Sequence, residues 1–285
     1  MMKRHQDSNA SLYTIKSSML VVIDSRNATI YNNKDYISNI SLDLKDVIMS
    51  DESTIAMMMT VSSFTCPCSF YQINETNNIL NIVLNNVQNT IIIPYGNYNQ
   101  INFQTELLSN LPSDFTMSLN TKNNIYTLNS SSTSFIISSS STIFNIMGFK
   151  KNTIYIANSN ILGGYTLNMP YCCNFSSLNN INIHINNIRT RNIDSLNCSM
   201  SSIVASVPVN GNQNGIIFYD KKNDFSINIK ENVIDFLNIE LKDDLGNYIN
   251  FNNQNWNMTL QFDFIHDVER FKDNFHNILQ KSLIY

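Results

Sequence analysis

Apolar and polar residues alternate with a period of two along much of this chain. The alternation is clearest near the end, from Ile239 to Phe251 and from Trp256 to Phe264, and a turn signal at residues 244–247, which includes Gly246, divides the first of these runs. A strand with this period turns one face to a core and the other to water. The pattern therefore predicts an antiparallel all-β body.

Further strands are expected at short, regular intervals, which is typical of a sandwich or barrel of the jelly-roll kind. We expect them at residues 19–23, 28–31, 40–44, 54–64, 79–84, 90–93, 115–119, 126–128, 135–137, 165–169, 181–185, 203–209, 216–219, 225–229, 237–241 and 258–264. The strand at 54–64 is apolar on both faces, as in a strand that is covered twice or lies at a subunit contact. Pro67 is expected to end that strand, and Asn77 with Asn78 to supply a hairpin turn.

Three segments show helical spacing or helix-stop signals instead. Residues 102–111 form the first, with Asn102 as the expected cap, and residues 142–147 form a single turn that Gly148 stops. After Asp267, apolar residues recur at steps of three and four, which predicts an amphipathic C-terminal helix over 266–285. That helix either packs on its own sandwich or docks on a neighbouring subunit.

Residues 1–18 are polar and are expected to form an N-terminal arm, ahead of a body at 19–265.

Composition narrows the classes of function. The chain has 285 residues, of which 43% are hydrophobic but only 14% are charged, well under the usual quarter. Asn occupies many of the polar positions at which other proteins have charged residues. A net charge of -4 argues against a nucleic-acid surface. Five cysteines, with no signal peptide and no apolar run of membrane-spanning length, predict free thiols in a reducing cytoplasm.

Candidate chemistry is sparse. His5, His184, His266 and His276 are the four histidines, and none has a metal-ligand neighbour at the usual spacing. Cys66 and Cys68 with Cys172 and Cys173, and Asp243 and Asp244 with Asp220 and Asp224, are weak candidates for zinc and calcium sites. We therefore name no catalytic, metal or cofactor-binding residue, and expect no cofactor and no enzyme activity.

A set of motifs in the first half and at the end resembles known proteins. The first is Ser69-Phe70-Tyr71-Gln72-Ile73-Asn74 with Asn77-Asn78-Ile79-Leu80, followed by Ile92-Ile93-Pro94-Tyr95-Gly96-Asn97-Tyr98, by Leu107-Leu108 with Leu111, and by Met147-Gly148-Phe149. With the last strands and Asn255-Trp256, this order resembles the minor capsid (penton) proteins of virophages, Polinton-like viruses and related large DNA viruses.

The resemblance implies a jelly-roll protein of the virion, made in the host cytoplasm. It implies a homopentamer at each five-fold vertex of an icosahedral capsid, with the major capsid protein and possibly other minor capsid proteins as partners. Residues 75–150 would then be an inserted β/helix subdomain. Two alternatives stay open: a cementing protein between capsomers, and a receptor- or carbohydrate-binding sandwich of the fibre-head or lectin type. The last would use Trp256 near Asp243 and Asp244 as its site.

Overall fold

The computed structural model describes residues 14–27, 29–30, 37–176, 178–196, 198–220 and 226–268. Their strands are β1 (Thr14–Asp24), β2 (Thr29–Ile30), β3 (Asn39–Met49), β4 (Thr54–Pro67), β5 (Ile79–Leu84), β6 (Val87–Ile92), β7 (Phe115–Asn120), β8 (Ile125–Ser130), β9 (Phe135–Ile137), β10 (Tyr155–Ile156), β11 (Asn158–Ser159), β12 (Tyr165–Asn168), β13 (Asn180–Ile185), β14 (Ile193–Asp194), β15 (Ser199–Met200), β16 (Ile203–Pro208), β17 (Ile216–Asp220), β18 (Ile227–Ile229), β19 (Val233–Lys242) and β20 (Asn257–Asp267). The α-helices are α1 (Gln100–Ser109) and α2 (Phe144–Met147), and a 3-10 turn spans Ser25–Asn27.

The chain divides into two compact units, residues 1–69 with 179–285 and residues 70–178. We call the first the jelly-roll unit and the second the inserted unit, because the second interrupts the first between β4 and β13. All strand pairs of both units are antiparallel among the described residues. The predicted all-β class is confirmed.

The strand order of the jelly-roll unit explains its name. One sheet has the order β1-β20-β4-β17, with β18 also paired to β4, and the other has the order β16-β13-β19-β3-β2. The eight main strands are, in chain order, β1, β3, β4, β13, β16, β17, β19 and β20. The first sheet therefore contains the first, eighth, third and sixth of them. The second sheet contains the fifth, fourth, seventh and second. This is the double Greek key of a jelly roll.

Each sheet of the jelly-roll unit buries one face. On β4 and β20 the fully buried side chains include Met59, Phe64, Leu260 and Phe262. On the second sheet, β13 and β19 bury Ile181, Ile183, Ile185, Leu237, Ile239 and Leu241. The period of two in the sequence thus corresponds to alternating core and outer positions, as expected.

The inserted unit contains two four-stranded sheets with the orders β10-β9-β5-β6 and β11-β12-β8-β7. It has its own core, in which Leu80, Phe103, Tyr126, Phe135 and Met147 lie together. Helix α1 is tied to β8 because the Tyr126 hydroxyl donates to the carbonyl of Gln100 at 2.8 Å. The compact unit spans 70–178, which is wider at both ends than the 75–150 expected from sequence.

Several local predictions need correction. Strand β1 begins at Thr14, so residues 14–18 belong to a sheet and not to an arm. Strand β20 continues to Asp267, so residues 266 and 267 are not helical, and residues 269–285 lie outside the described part. Asn99, and not Asn102, caps α1, since its side chain accepts from the amides of Ile101 and Asn102.

Two turn predictions had opposite outcomes. The left-handed Asn pair of the hairpin after β5 is Asn85–Asn86, with φ of 47° and 66°, and not Asn77–Asn78. The predicted end of α2 at Gly148 is confirmed, with φ of 82° and its amide bonded to the carbonyl of Phe144. A Cβ at Gly148 would lie 2.2 Å from the Tyr171 carbonyl oxygen, so a glycine is required there.

Candidate assembly surfaces

The weak metal candidates do not assemble in the part of the chain that the structure describes. No three His, Cys, Asp or Glu side chains gather there in a group that could hold a metal ion. Cys66 and Cys68 are free and buried, and Cys172 is free and exposed. Burial raises the pKa of the Cys66 thiol to about 12, which leaves it protonated and unreactive. His5, Asp224 and His276 lie outside the described residues.

Trp256 is not a surface residue. Its side chain is fully buried, its ring centroid lies 5.9 Å from that of Phe64, and its indole nitrogen donates to the Ile37 carbonyl at 3.0 Å. Asp243 is used by its own loop, because its carboxylate accepts from the amides of Leu245 and Asn247. A glycan site of an exposed Trp256 beside Asp243 and Asp244 is therefore wrong.

A polar cluster covers part of the outer face of the second sheet. Glu240 accepts from the Tyr248 hydroxyl at 2.8 Å and pairs with Lys242. Hydrogen bonds from Lys242, Asn186 and Tyr248 lower the pKa of Glu240 against the opposing effect of burial. Burial and the bond to Glu240 raise the pKa of Tyr248 to about 12, while burial and the charge of Lys242 lower that of His184. The cluster satisfies its own charges and stabilises the loop after β19.

A chain of hydrogen bonds at the start of β1 places Ser, His and Asp in line. Ser17 Oγ lies 2.8 Å from His266 Nε2, and Asp51 Oδ1 lies 3.5 Å from His266 Nδ1. The nearer partner of Nδ1 is Ser53 Oγ, at 3.0 Å. In a catalytic triad the carboxylate itself orients that nitrogen. Here the Ser53 hydroxyl occupies that position and the imidazole is buried. These hydrogen bonds therefore fasten β1 to β20 and to the turn before β4.

A second polar network fastens β1 on its other face. Asp263 of β20 is only 6% exposed. It accepts from Ser18 Oγ at 2.6 Å and Gln261 Nε2 at 2.8 Å, and it pairs with Lys16 Nζ at 2.9 Å. These donors lower its pKa although burial opposes them. Lys16, Ser17 and Ser18 are thus all engaged with residues of their own unit.

Strand β1 also exposes four apolar side chains. Strand β1 is paired in unbroken register from Thr14↔Asp267 to Asp24↔Asn257, and β20 is its single partner among the described strands. Leu20 and Val22 are 60% and 76% exposed on the outer face, while Ile15 and Met19 are 40% and 43% exposed on the face that holds buried Ile23. We call these four residues the β1 edge surface.

The opposite edge of the same sheet is also apolar. Strand β17 pairs with β4, and its Ile217 is fully buried. Ile216 and Phe218, on the outer face, are about as exposed as Leu20 and Val22. We call these two residues the β17 face. One sheet therefore has an uncovered apolar strip at each of its two edges.

Comparisons with known proteins were made by sequence and by fold. No family model matches the chain, and no curated protein matches it in sequence. In fold, the chain is similar to the mavirus penton protein, at 9% identity and a TM-score of 0.48, over 88% of this chain and 99% of that one. It is also similar to a chain of the Sputnik virophage, at 10% identity and a TM-score of 0.40, over 89% of this chain and 98% of that one.

Within the described residues, no helix combines the length and hydropathy needed to cross a bilayer.

Proposed function

We propose that the chain is a structural protein of a virus capsid, of the penton type, and that copies of it form a closed ring at a vertex beside the major capsid protein. The observation that carries the proposal is the set of exposed apolar side chains on β1. Lys16, Ser17 and Ser18 bond within their own unit, whereas Ile15, Met19, Leu20 and Val22 are exposed. Covering a large aliphatic side chain stabilises a contact by about 1.5–3 kcal/mol.

The β1 edge also lacks the usual protection of an exposed strand. Edge strands are normally blunted by lysines, prolines or bulges, because a regular free edge invites another strand. Strand β1 contains no proline and no bulge, and its one lysine, Lys16, is held by Asp263. Such an edge is suited to contact with a neighbouring molecule.

Two different apolar strips on one molecule favour head-to-tail assembly. A contact between unlike surfaces generates a ring when the rotation closes. We propose that the β1 edge surface of one copy covers the β17 face of the next. The five-fold number comes from the sequence resemblance to penton proteins.

The test uses one charged substitution at each edge. Val22→Lys and Phe218→Lys should each weaken self-association at least about tenfold, because each places an ammonium group in an apolar contact. Sedimentation velocity measures the oligomer, and negative-stain images show its symmetry. Val87→Lys, an equally exposed site on β6, is the matched control and should assemble like the parent chain.

Mixing the two variants separates head-to-tail from two-fold contacts. Each variant keeps one intact surface, so an equimolar mixture should form one-to-one dimers but no rings. Self-association of Phe218→Lys alone would instead indicate a β1-to-β1 contact. If both edge variants assemble normally, or if the parent chain is monomeric at every concentration, the proposal fails. A three-fold or unclosed assembly would favour the cementing alternative.

A further inference from the structure

The hairpin between β11 and β12 ends in an unusual tip. Ile161 is 105% exposed and Leu162 is 95% exposed, so neither side chain is covered by the described part of the chain. Turns are normally formed by Gly, Pro, Asn, Asp and Ser, none of which has a long aliphatic side chain. Two adjacent aliphatic residues at this position therefore require an explanation. We call them the aliphatic tip.

The tip is held in one conformation by Asn160. Its side-chain oxygen accepts from the amides of Leu162 and Gly164, both at 3.0 Å, and its amide nitrogen donates to Thr166 Oγ1 at 3.2 Å. Its backbone bonds to Gly163 and Gly164 close the turn. The loop is thus already ordered, and it loses little conformational entropy when the tip is covered.

Both glycines are needed for this geometry. Gly163 has φ of +84°, and a Cβ on Gly164 would lie 2.4 Å from the Ser130 carbonyl oxygen of β8. The hairpin is therefore anchored against β8 within the inserted unit, with Ile161 and Leu162 at its exposed tip. The sequence specifies a firm support for the two aliphatic side chains.

The segment of chain that carries the tip is free of formal charge. No Asp, Glu, Lys or Arg lies between Lys151 and Arg189. Charged groups are the main obstacle to entering a bilayer, and here none on the hairpin would have to lose water. Tyr165, which directly follows the turn, is half-buried against the core of the inserted unit, so Ile161 and Leu162 are the apolar side chains that the turn itself presents.

We propose that the aliphatic tip inserts into the surface of a lipid bilayer. A protein pocket is a poorer match, because a strong protein contact surrounds its apolar centre with a rim that excludes water. The two side chains project alone, and a fluid bilayer covers a projecting group without a preformed shape. One tip binds weakly, as does a single short lipid chain, and several copies on one particle would bind together.

The test uses the full chain with vesicles of neutral phosphatidylcholine. In flotation, the parent chain should rise with the vesicles, and the double variant Ile161→Ser with Leu162→Ser should lower the bound fraction by about tenfold or more. Ile101→Ser, which removes another exposed aliphatic residue from the same unit, should bind like the parent. Equal unfolding temperatures would show that all three proteins are folded.

A fluorescent variant reports where the tip lies. Leu162→Trp adds an exposed indole to a chain whose single Trp256 is buried. Its emission should shift to the blue with vesicles and be quenched by brominated acyl chains. Vesicle binding that persists in the serine double variant would overturn the proposal, as would an emission unchanged by lipid. A blue shift caused only by protein self-association would assign the tip to a protein pocket and would equally overturn it.

Discussion

At the scale of residues, Asn has a conformational use that composition alone does not reveal. Among the described residues, Asn occupies seven of the eight non-glycine positions with positive φ: Asn85, Asn86, Asn124, Asn152, Asn214, Asn252 and Asn253, the eighth being Cys198. Asn tolerates the left-handed region better than most residues. A chain with only 7 glycines therefore forms many of its turns with Asn, in addition to using it as an uncharged polar residue.

Asp114 provides a test of a single carboxylate. It accepts from Ser130 Oγ at 2.6 Å, from Ser132 Oγ at 2.9 Å and from the amide of Thr133 at 3.0 Å. Led by the bond from Ser130, these donors lower its pKa from 3.8 to about 2. Asp114→Ala should therefore reduce the free energy of unfolding at neutral pH by about 1–3 kcal/mol.

The pH dependence of that loss has a definite sign. Because the folded pKa lies below the unfolded one, the carboxylate stabilises the fold above the unfolded pKa of 3.8, and the effect disappears as pH falls through about 2. Urea unfolding of the parent and of Asp114→Ala should show a difference that shrinks over this window. Asp46→Ala, at an exposed site on β3, is the control. A difference that stayed constant with pH would contradict this role of the carboxylate.

At the scale of elements, β1 shows why an edge strand is hard to recognise in a sequence. Its first residues, Thr14 to Ser18, are exposed and mostly polar, so they give no apolar period. What places them in a sheet is a set of contacts with Asp263 and His266, which lie at the other end of the chain. Periodicity detects a buried face and cannot detect such pairing. It did identify the central strands β13 and β19, whereas β4 was predicted from a run that is apolar on both faces and the end of α2 from Gly148.

Two truncations distinguish an arm from a strand. Removing residues 1–13 leaves β1 whole, whereas removing 1–18 also takes away Lys16 and Ser18 and leaves the buried Asp263 without its cation. The cost is smaller than the roughly 3–5 kcal/mol of a fully buried ion pair, because the Lys16 side chain is 54% exposed. The longer truncation should therefore unfold at a clearly lower urea concentration than the shorter one. Equal stability of the two would show that the first part of β1 contributes nothing to the fold.

At the scale of the whole molecule, each unit has what an independent domain requires. Among the described residues, the jelly-roll unit has two five-stranded sheets and the short pair β14-β15, and the inserted unit has two sheets and a buried core of its own. The resemblance to penton proteins implied an insertion at 75–150, which is narrower than the compact unit at 70–178. Residues 151–176 form hairpins and loops with only short strands, and they join the inserted core through residues such as Ala157, Leu167 and Met169. Strands this short contain too few alternating apolar and polar residues for the sequence pattern to assign them to one unit or the other.

Excision of the inserted unit tests this division and the proposed contacts together. Residues 70–178 should fold alone with a single cooperative transition, since their core is self-contained. A chain in which a glycine-serine linker replaces them should keep both sheets of the jelly-roll unit. It should also self-associate like the full chain, because the β1 edge surface and the β17 face are both retained. Circular dichroism with thermal unfolding measures the first two results and sedimentation velocity the third. A folded but monomeric jelly-roll unit, beside a full chain that assembles, would place the subunit contacts on the inserted unit instead.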